Sequence, residues 1–145
     1  MIYLSTINTD NYHKNQTRKG GRQVILGIGL DLIETARVKR SLENPKFLEK
    51  VYTPGEQEYL LERKGNAQSA AGIFAAKEAV SKALGTGFGP IRLQEVEILC
   101  DESGKPCVRL TGAALKRMKD MGGSQVLVSI THIKDLAAAQ AVIDG

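Results

Sequence analysis

Between Gln23 and Gly145, apolar and polar positions change their period several times along the chain. Val24 to Leu30 is apolar almost throughout and predicts a strand buried on both faces. In "LIETARVKRSLE" the apolar positions recur at helical spacing, and Asp31 stands just ahead as a candidate N-cap. "NPKFLEKV" predicts a short helical turn after Pro45. "TPGEQEYLLERK" carries Thr53 as cap, Pro54 at the first helical position and Glu56 three residues after the cap, which is a capping box. The alanine-rich "AQSAAGIFAAKEAVSKALG" predicts a central helix stopped by Gly85. Small residues all round it imply packing on several sides.

Gly85, Gly87, Gly89 and Pro90 then predict a loop. "LQEVEILCDESGKPCVRL" reads as a hairpin turning at Ser103-Gly104-Lys105, with Val96, Ile98 and Cys100 alternating with polar residues. "GAALKRMKDMGG" predicts a helix ended by glycines, and "QVLVSITHIKDLAAAQAVID" a second hairpin turning near Lys134-Asp135. The order βα(αα)α–ββ–α–ββ, with strands following one another as hairpins, predicts an α+β domain rather than a doubly wound parallel sheet.

Composition changes this picture in two places. The 145 residues suit one domain over 23–145. No apolar run approaches the roughly 20 residues of a membrane-spanning helix, and no secretory signal is visible, so a cytoplasmic protein with reduced Cys100 and Cys107 is expected. The net charge of +4 is uneven: residues 1–22 carry four basic residues against Asp10 alone, leaving a balance near neutral for the remainder. That stretch is polar and aperiodic and reads as a flexible basic extension. A basic nucleic-acid-binding module would rest on it, and the absence of tryptophan weighs against a stacking platform for bases.

The candidate chemistry begins at Gly27-Ile28-Gly29-Leu30-Asp31. A dinucleotide fingerprint needs a third glycine where Leu32 stands, so that reading fails. Asp31, followed three residues later by Glu34, imitates a capping box; alternatively it is a hard oxygen ligand for Mg²⁺, which then needs a second carboxylate. Glu78 on the central helix offers one. Its ordinary reading is a surface pair with Lys82, one turn on; its functional reading is a carboxylate among alanines that needs a partner charge or a metal. Thr86 and Gly87 can admit the neutral part of a ligand close to the backbone. His132 closes an alternating strand and reads as a surface residue or a ligand contact. Neither the cysteines nor the histidines have zinc spacing. Arg37, Lys39 and Arg40 form a solvated face or a docking patch for an acidic partner.

Together these segments resemble the holo-(acyl-carrier-protein) synthases, the small bacterial branch of the 4′-phosphopantetheinyl transferases. The family's strand followed by G-x-G-x-D matches Gly27 to Asp31, with an arginine six residues on at Arg37. Its F-A-A-K-E-A-x-x-K-A-x-G-T-G signature matches Phe74 to Gly87, and its S-x-[ST]-H strand and A-x-A-x-V partner match Ser129 to His132 and Ala137 to Val142. The resemblance covers about residues 24–144. It implies an antiparallel sheet on a long central helix, assembled as a homotrimer with sites at subunit interfaces. It implies transfer of 4′-phosphopantetheine from coenzyme A to a serine of apo-acyl carrier protein, leaving adenosine 3′,5′-bisphosphate. Asp31 and Glu78 would hold Mg²⁺ on the pyrophosphate. Lys82 would lie on the phosphates; His132, Ser81, Gly85 and Thr86 would belong to the coenzyme A site; Arg37 and Arg40 would meet the acidic carrier. Either Glu78 or a water on the ion could take the serine proton. The chain departs from the family at Ile73, where a basic residue is common, and in the extension at 1–22. Ile73 alone supports a further alternative, an inactive homologue that binds the carrier without catalysis.

Overall fold

The computed structural model describes residues 24–145; the reading of 1–22 as a flexible extension lies outside them. The elements follow the expected order: β1 (Ile25–Glu34), α1 (Thr35–Leu42), α2 (Pro45–Val51), α3 (Pro54–Glu62), α4 (Ala67–Ala83), β2 (Val96–Cys100), β3 (Pro106–Leu110), α5 (Gly112–Asp120), β4 (Gln125–His132) and β5 (Leu136–Asp144). They form an antiparallel three-stranded sheet in the order β1-β5-β4 and a separate β2-β3 hairpin. No helix among the described residues is long and apolar enough to cross a membrane.

Helix α4 lies on the three-stranded sheet and is buried almost all round. Ala70, Ala71, Ala75, Ala76, Ala79 and Ala83 are all in the core. Its close approach explains Gly27 and Gly29. Both glycines lie on the face of β1 turned to the helix. A methyl added at Gly29 would run into the Ala79 carbonyl oxygen, and one at Gly27 into that of Ala83. At Gly72 the helix in turn passes 3.0 Å from Ile130 of β4, measured from where a Cβ would stand. So α4 crosses the sheet from β4 at its start to β1 at its end, and the two glycines make room for it. Neither has a positive φ, whereas Gly85, which stops the helix, has φ +73°.

Two expectations are corrected. The first strand does not stop at Leu30. It continues to Glu34, paired with β5 from Ile25↔Asp144 to Glu34↔Leu136. Asp31 is therefore mid-strand opposite Ala139 and caps nothing; α1 starts at Thr35, after Glu34, which gives no side-chain cap. The physical reason is that β5 supplies ladder partners past Asp31, and those backbone bonds outweigh a local cap. Second, β1 is buried on one face only: Ile28, Leu30 and Leu32 are 64–66% exposed on the face away from α4. In β2 the polar side is not turned to solvent. Glu97 is buried, accepting from the Thr53 hydroxyl at 2.7 Å and pairing with Arg109 at 2.5 Å.

The Thr53–Glu56 capping box forms as expected. Cys100 and Cys107 are free and exposed. Cys107 stands opposite Leu99 in the hairpin, so the two thiols point to opposite faces.

Candidate functional site

Strand alternation puts Asp31 on the same face as Gly29 and Ile33, toward α4. There Lys82 meets it: Nζ donates to Asp31 Oδ1 at 2.9 Å and to the Leu30 carbonyl at 2.8 Å. Glu78 lies one helical turn before Lys82 and is half-buried. Burial pushes its carboxyl above the usual carboxylate range, and the Asp31 charge pushes the same way; Lys82 and then Arg37 pull it back. The cluster therefore joins three elements: Asp31 from β1, Arg37 from α1, and Glu78 and Lys82 from α4. The Asp31–Lys82 pair is partly exposed, worth at most about 1 kcal/mol, so little is lost when Lys82 turns to another anion.

Two carboxylates in mutual repulsion, with a lysine in contact, make a small donor set of hard oxygens. Among the described residues no three His, Cys, Asp or Glu side chains gather as a complete metal cage. Two carboxylates do suit Mg²⁺, whose other ligands are commonly phosphate oxygens and water.

Beyond Lys82 the helix ends in a tight turn. The backbone N–H groups of Thr86 and Gly87 both donate to the Ser81 carbonyl at 3.4 Å. Ser81 is buried and its hydroxyl donates to the Glu78 carbonyl at 2.8 Å, so the side chain is engaged within the helix. Thr86 Oγ1 is buried without a hydrogen-bond partner, an orphan next to the exposed Gly85. Arg117 of α5 covers this helix end, donating from Nε to the Leu84 carbonyl at 3.0 Å. Its charge suits the negative end of the α4 dipole.

His132 is not brought to this cluster within one chain. It lies on the α4 side of the sheet, opposite Ala137, but on β4, two strand spacings or about 10 Å across from β1. It also sits near the opposite end of α4, where Gln68 donates to the Ile133 carbonyl at 3.3 Å. Arg40 is exposed on α1, three residues from Arg37. Ile73 is buried in the core at 4% exposure, as an apolar residue requires.

Sequence reasoning missed two features. One is the electrostatic reach of Arg37 to Glu78, which needs the fold to bring α1 onto α4. The other is a fully buried ion pair, Lys77–Glu56 at 2.8 Å. Its signal was present: Lys77 sits among alanines as Glu78 does. Glu56, however, was already accounted for by its capping box.

Residues 27–141 match the 4′-phosphopantetheinyl transferase superfamily. The holo-(acyl-carrier-protein) synthase of Treponema denticola is 43% identical over 123 residues, covering 84% of this chain and all of that protein. A crystal structure of the Helicobacter pylori holo-(acyl-carrier-protein) synthase in complex with coenzyme A superposes with a TM-score of 0.70 at 30% identity, over 80% of this chain and 98% of the other. The acyl carrier protein synthase of Plasmodium yoelii with ADP bound gives a TM-score of 0.78 at 34% identity, over 86% of this chain and 98% of the other.

Proposed function

This chain belongs to the 4′-phosphopantetheinyl transferase superfamily, among the holo-(acyl-carrier-protein) synthases, and from that premise we propose the roles of its residues in moving phosphopantetheine from coenzyme A to apo-acyl carrier protein. The observation that carries the reading is the Asp31–Glu78–Lys82 cluster, in which Lys82 Nζ sits 2.9 Å from Asp31 and the Glu78 proton affinity responds to both.

Asp31 and Glu78 would hold Mg²⁺ against the pyrophosphate of coenzyme A. When bound, Mg²⁺ offsets the phosphate charge and its repulsion from the two acids. Lys82 gives up its contact with Asp31 and turns to the phosphates, stabilising charge on the leaving group. The carrier serine oxygen forms a bond to the pantetheine phosphorus, and the bond to the bridging oxygen breaks, releasing adenosine 3′,5′-bisphosphate. The serine proton would go to Glu78 or to a water on the ion. Gly85 and Thr86 contact coenzyme A, with the unpartnered Thr86 hydroxyl supporting that assignment; Ser81 serves by anchoring their turn through its carbonyl. Arg37 and Arg40 receive the acidic carrier.

The active protein is a homotrimer in this reading. Its support is the open apolar face of Ile28, Leu30 and Leu32 on β1 with Leu127 on β4. The position of His132 agrees with it, because in one chain that side chain is far from the acids and a neighbouring copy can supply it to the coenzyme A site.

The test is the mass of apo-acyl carrier protein incubated with coenzyme A and Mg²⁺. The expected result is addition of one phosphopantetheine, lost with a chelator and lost in Asp31→Ala and Glu78→Ala proteins that still unfold cooperatively. Transfer that persists in chelator or in either variant overturns the metal assignment.

A further inference from the structure

Lys77 and Glu56 have no solvent exposure, yet they form a fully bonded polar pair in the core. Lys77 Nζ donates to Glu56 at 2.8 Å, to the Leu93 carbonyl at 3.0 Å and to the Val96 carbonyl at 2.7 Å, using all three of its hydrogens. Glu56 accepts in addition from the Thr53 N–H at 2.8 Å and the Ile98 N–H at 2.7 Å. Burial pushes the Glu56 carboxyl up and the Lys77 ammonium down, and each partner pulls the other back. Such a pair, compared with apolar residues of similar volume, adds little or nothing to stability. Its retention at the centre of a core asks for another reason.

The rest of α4 supplies that reason. Its core contacts are made mainly by alanine methyls. Burial of methyls is favourable but has no direction, so it discriminates weakly between small rotations of the helix. Lys77 contacts are directional and reach three separate segments: the start of α3, the turn before β2, and β2 itself. Consecutive helical residues point about 100° apart. Fixing the azimuth of Lys77 therefore fixes that of Glu78, the next residue, on the side facing β1.

We propose that the Lys77–Glu56 pair is a positioning device for the transfer reaction, locking the rotation of α4 so that Glu78 and Lys82 are held against Asp31. The inference rests on the roles assigned above to Glu78 and Lys82. Neither Lys77 nor Glu56 touches the reacting atoms. A rotation that moves Glu78 by an ångström spoils the geometry of the acid pair without unfolding anything.

The experiment uses the full chain with three variants. Glu56→Leu/Lys77→Met removes both charges at similar volume. Glu56→Gln keeps the shape and the acceptor for Ile98 but removes the charge. Met118→Ala truncates the core on α5, beside Gly123, and Met118 bonds to no member of either network. Each is measured for unfolding midpoint, for kcat and KM, and for amide hydrogen exchange of residues 75–83. The double variant is expected to unfold at or above the wild-type midpoint, to lose roughly 100-fold in kcat with KM for coenzyme A unchanged, and to exchange faster along α4. Glu56→Gln leaves the Lys77 ammonium buried without its counter-charge, so its midpoint should fall, but it should show the same loss of kcat at unchanged KM and the same faster exchange along α4, which keeps the proposal testable if the double variant does not fold. Met118→Ala should lose stability and keep kcat. Wild-type kcat in either charge variant overturns the proposal, as does a kcat loss in Met118→Ala matching theirs. If the wild-type protein transfers no phosphopantetheine, the assigned activity fails first. The α4 exchange rates then decide the locking by themselves, unchanged rates overturning it.

Discussion

Glu78 carries a prediction that its neighbours dictate. Its carboxyl holds a proton more tightly in the folded protein than in the unfolded chain, because burial and the Asp31 charge both disfavour the anion. Protonation therefore favours the fold. This component of stability is present below the ordinary glutamate value, about 4.3, and is lost as pH rises through the raised folded value. With chelator present, Glu78→Gln should remove that component. Its urea midpoint should fall less than the wild type's as pH rises above about 4.3, and parallel curves for the two proteins would show that Glu78 is not the group responsible. At this scale the sequence was legible for residue identity and poor for partners. Asp31, Glu78 and Lys82 stood out by type and spacing, and the structure brings them together. Lys77 did not stand out, since nothing local says that a lysine next to a glutamate points the other way into the core. Arg37 stood out only as a docking residue, because its nearness to Glu78 depends on how α1 packs.

Elements were read well where the signal is local and poorly where a distant strand decides. The Thr53–Glu56 box, the Gly85 stop and both hairpins depend on residues within a few positions, and they form as expected. The end of β1 depends on β5, more than a hundred residues later, which extends the ladder through Asp31 to Glu34. The glycines of β1 show the same dependence. Their meaning is the nearness of α4. Gly29→Ala should destabilise the protein by about 3 kcal/mol, because the added methyl meets the helix backbone at Ala79, which cannot rotate away. Gly89→Ala, where a methyl would meet nothing within 4 Å, should be near neutral. Urea midpoints of the two variants check this, and equal midpoints would mean that α4 does not press on β1.

For the whole molecule, the open face of β1 and the uneven charge each support an expected outcome. Ile28, Leu30 and Leu32 line one face of an edge strand, and a patch of that kind marks an interaction surface. On the proposed homotrimer, Leu30→Asp should leave the chain folded, shift its sedimentation toward that of a monomer, and abolish transfer together with assembly. A variant that stays trimeric would place the interface elsewhere. Removing residues 1–22, which carry most of the net positive charge, should leave phosphopantetheine transfer intact, and loss of transfer would give that stretch a part in the reaction. By itself the sequence determined the element order, the α+β class and, through the resemblance, the family, and it singled out Asp31, Glu78 and Lys82 by type and spacing. These follow from local propensity, periodicity and residue type, which a linear chain displays directly. Only the tertiary structure decided that Asp31 belongs to a strand, that two glycines exist to admit a helix, that one face of β1 lies open, and that Lys77 is spent on Glu56. Each of these is a contact between segments far apart in the chain, and its energy comes from a partner that no local pattern names.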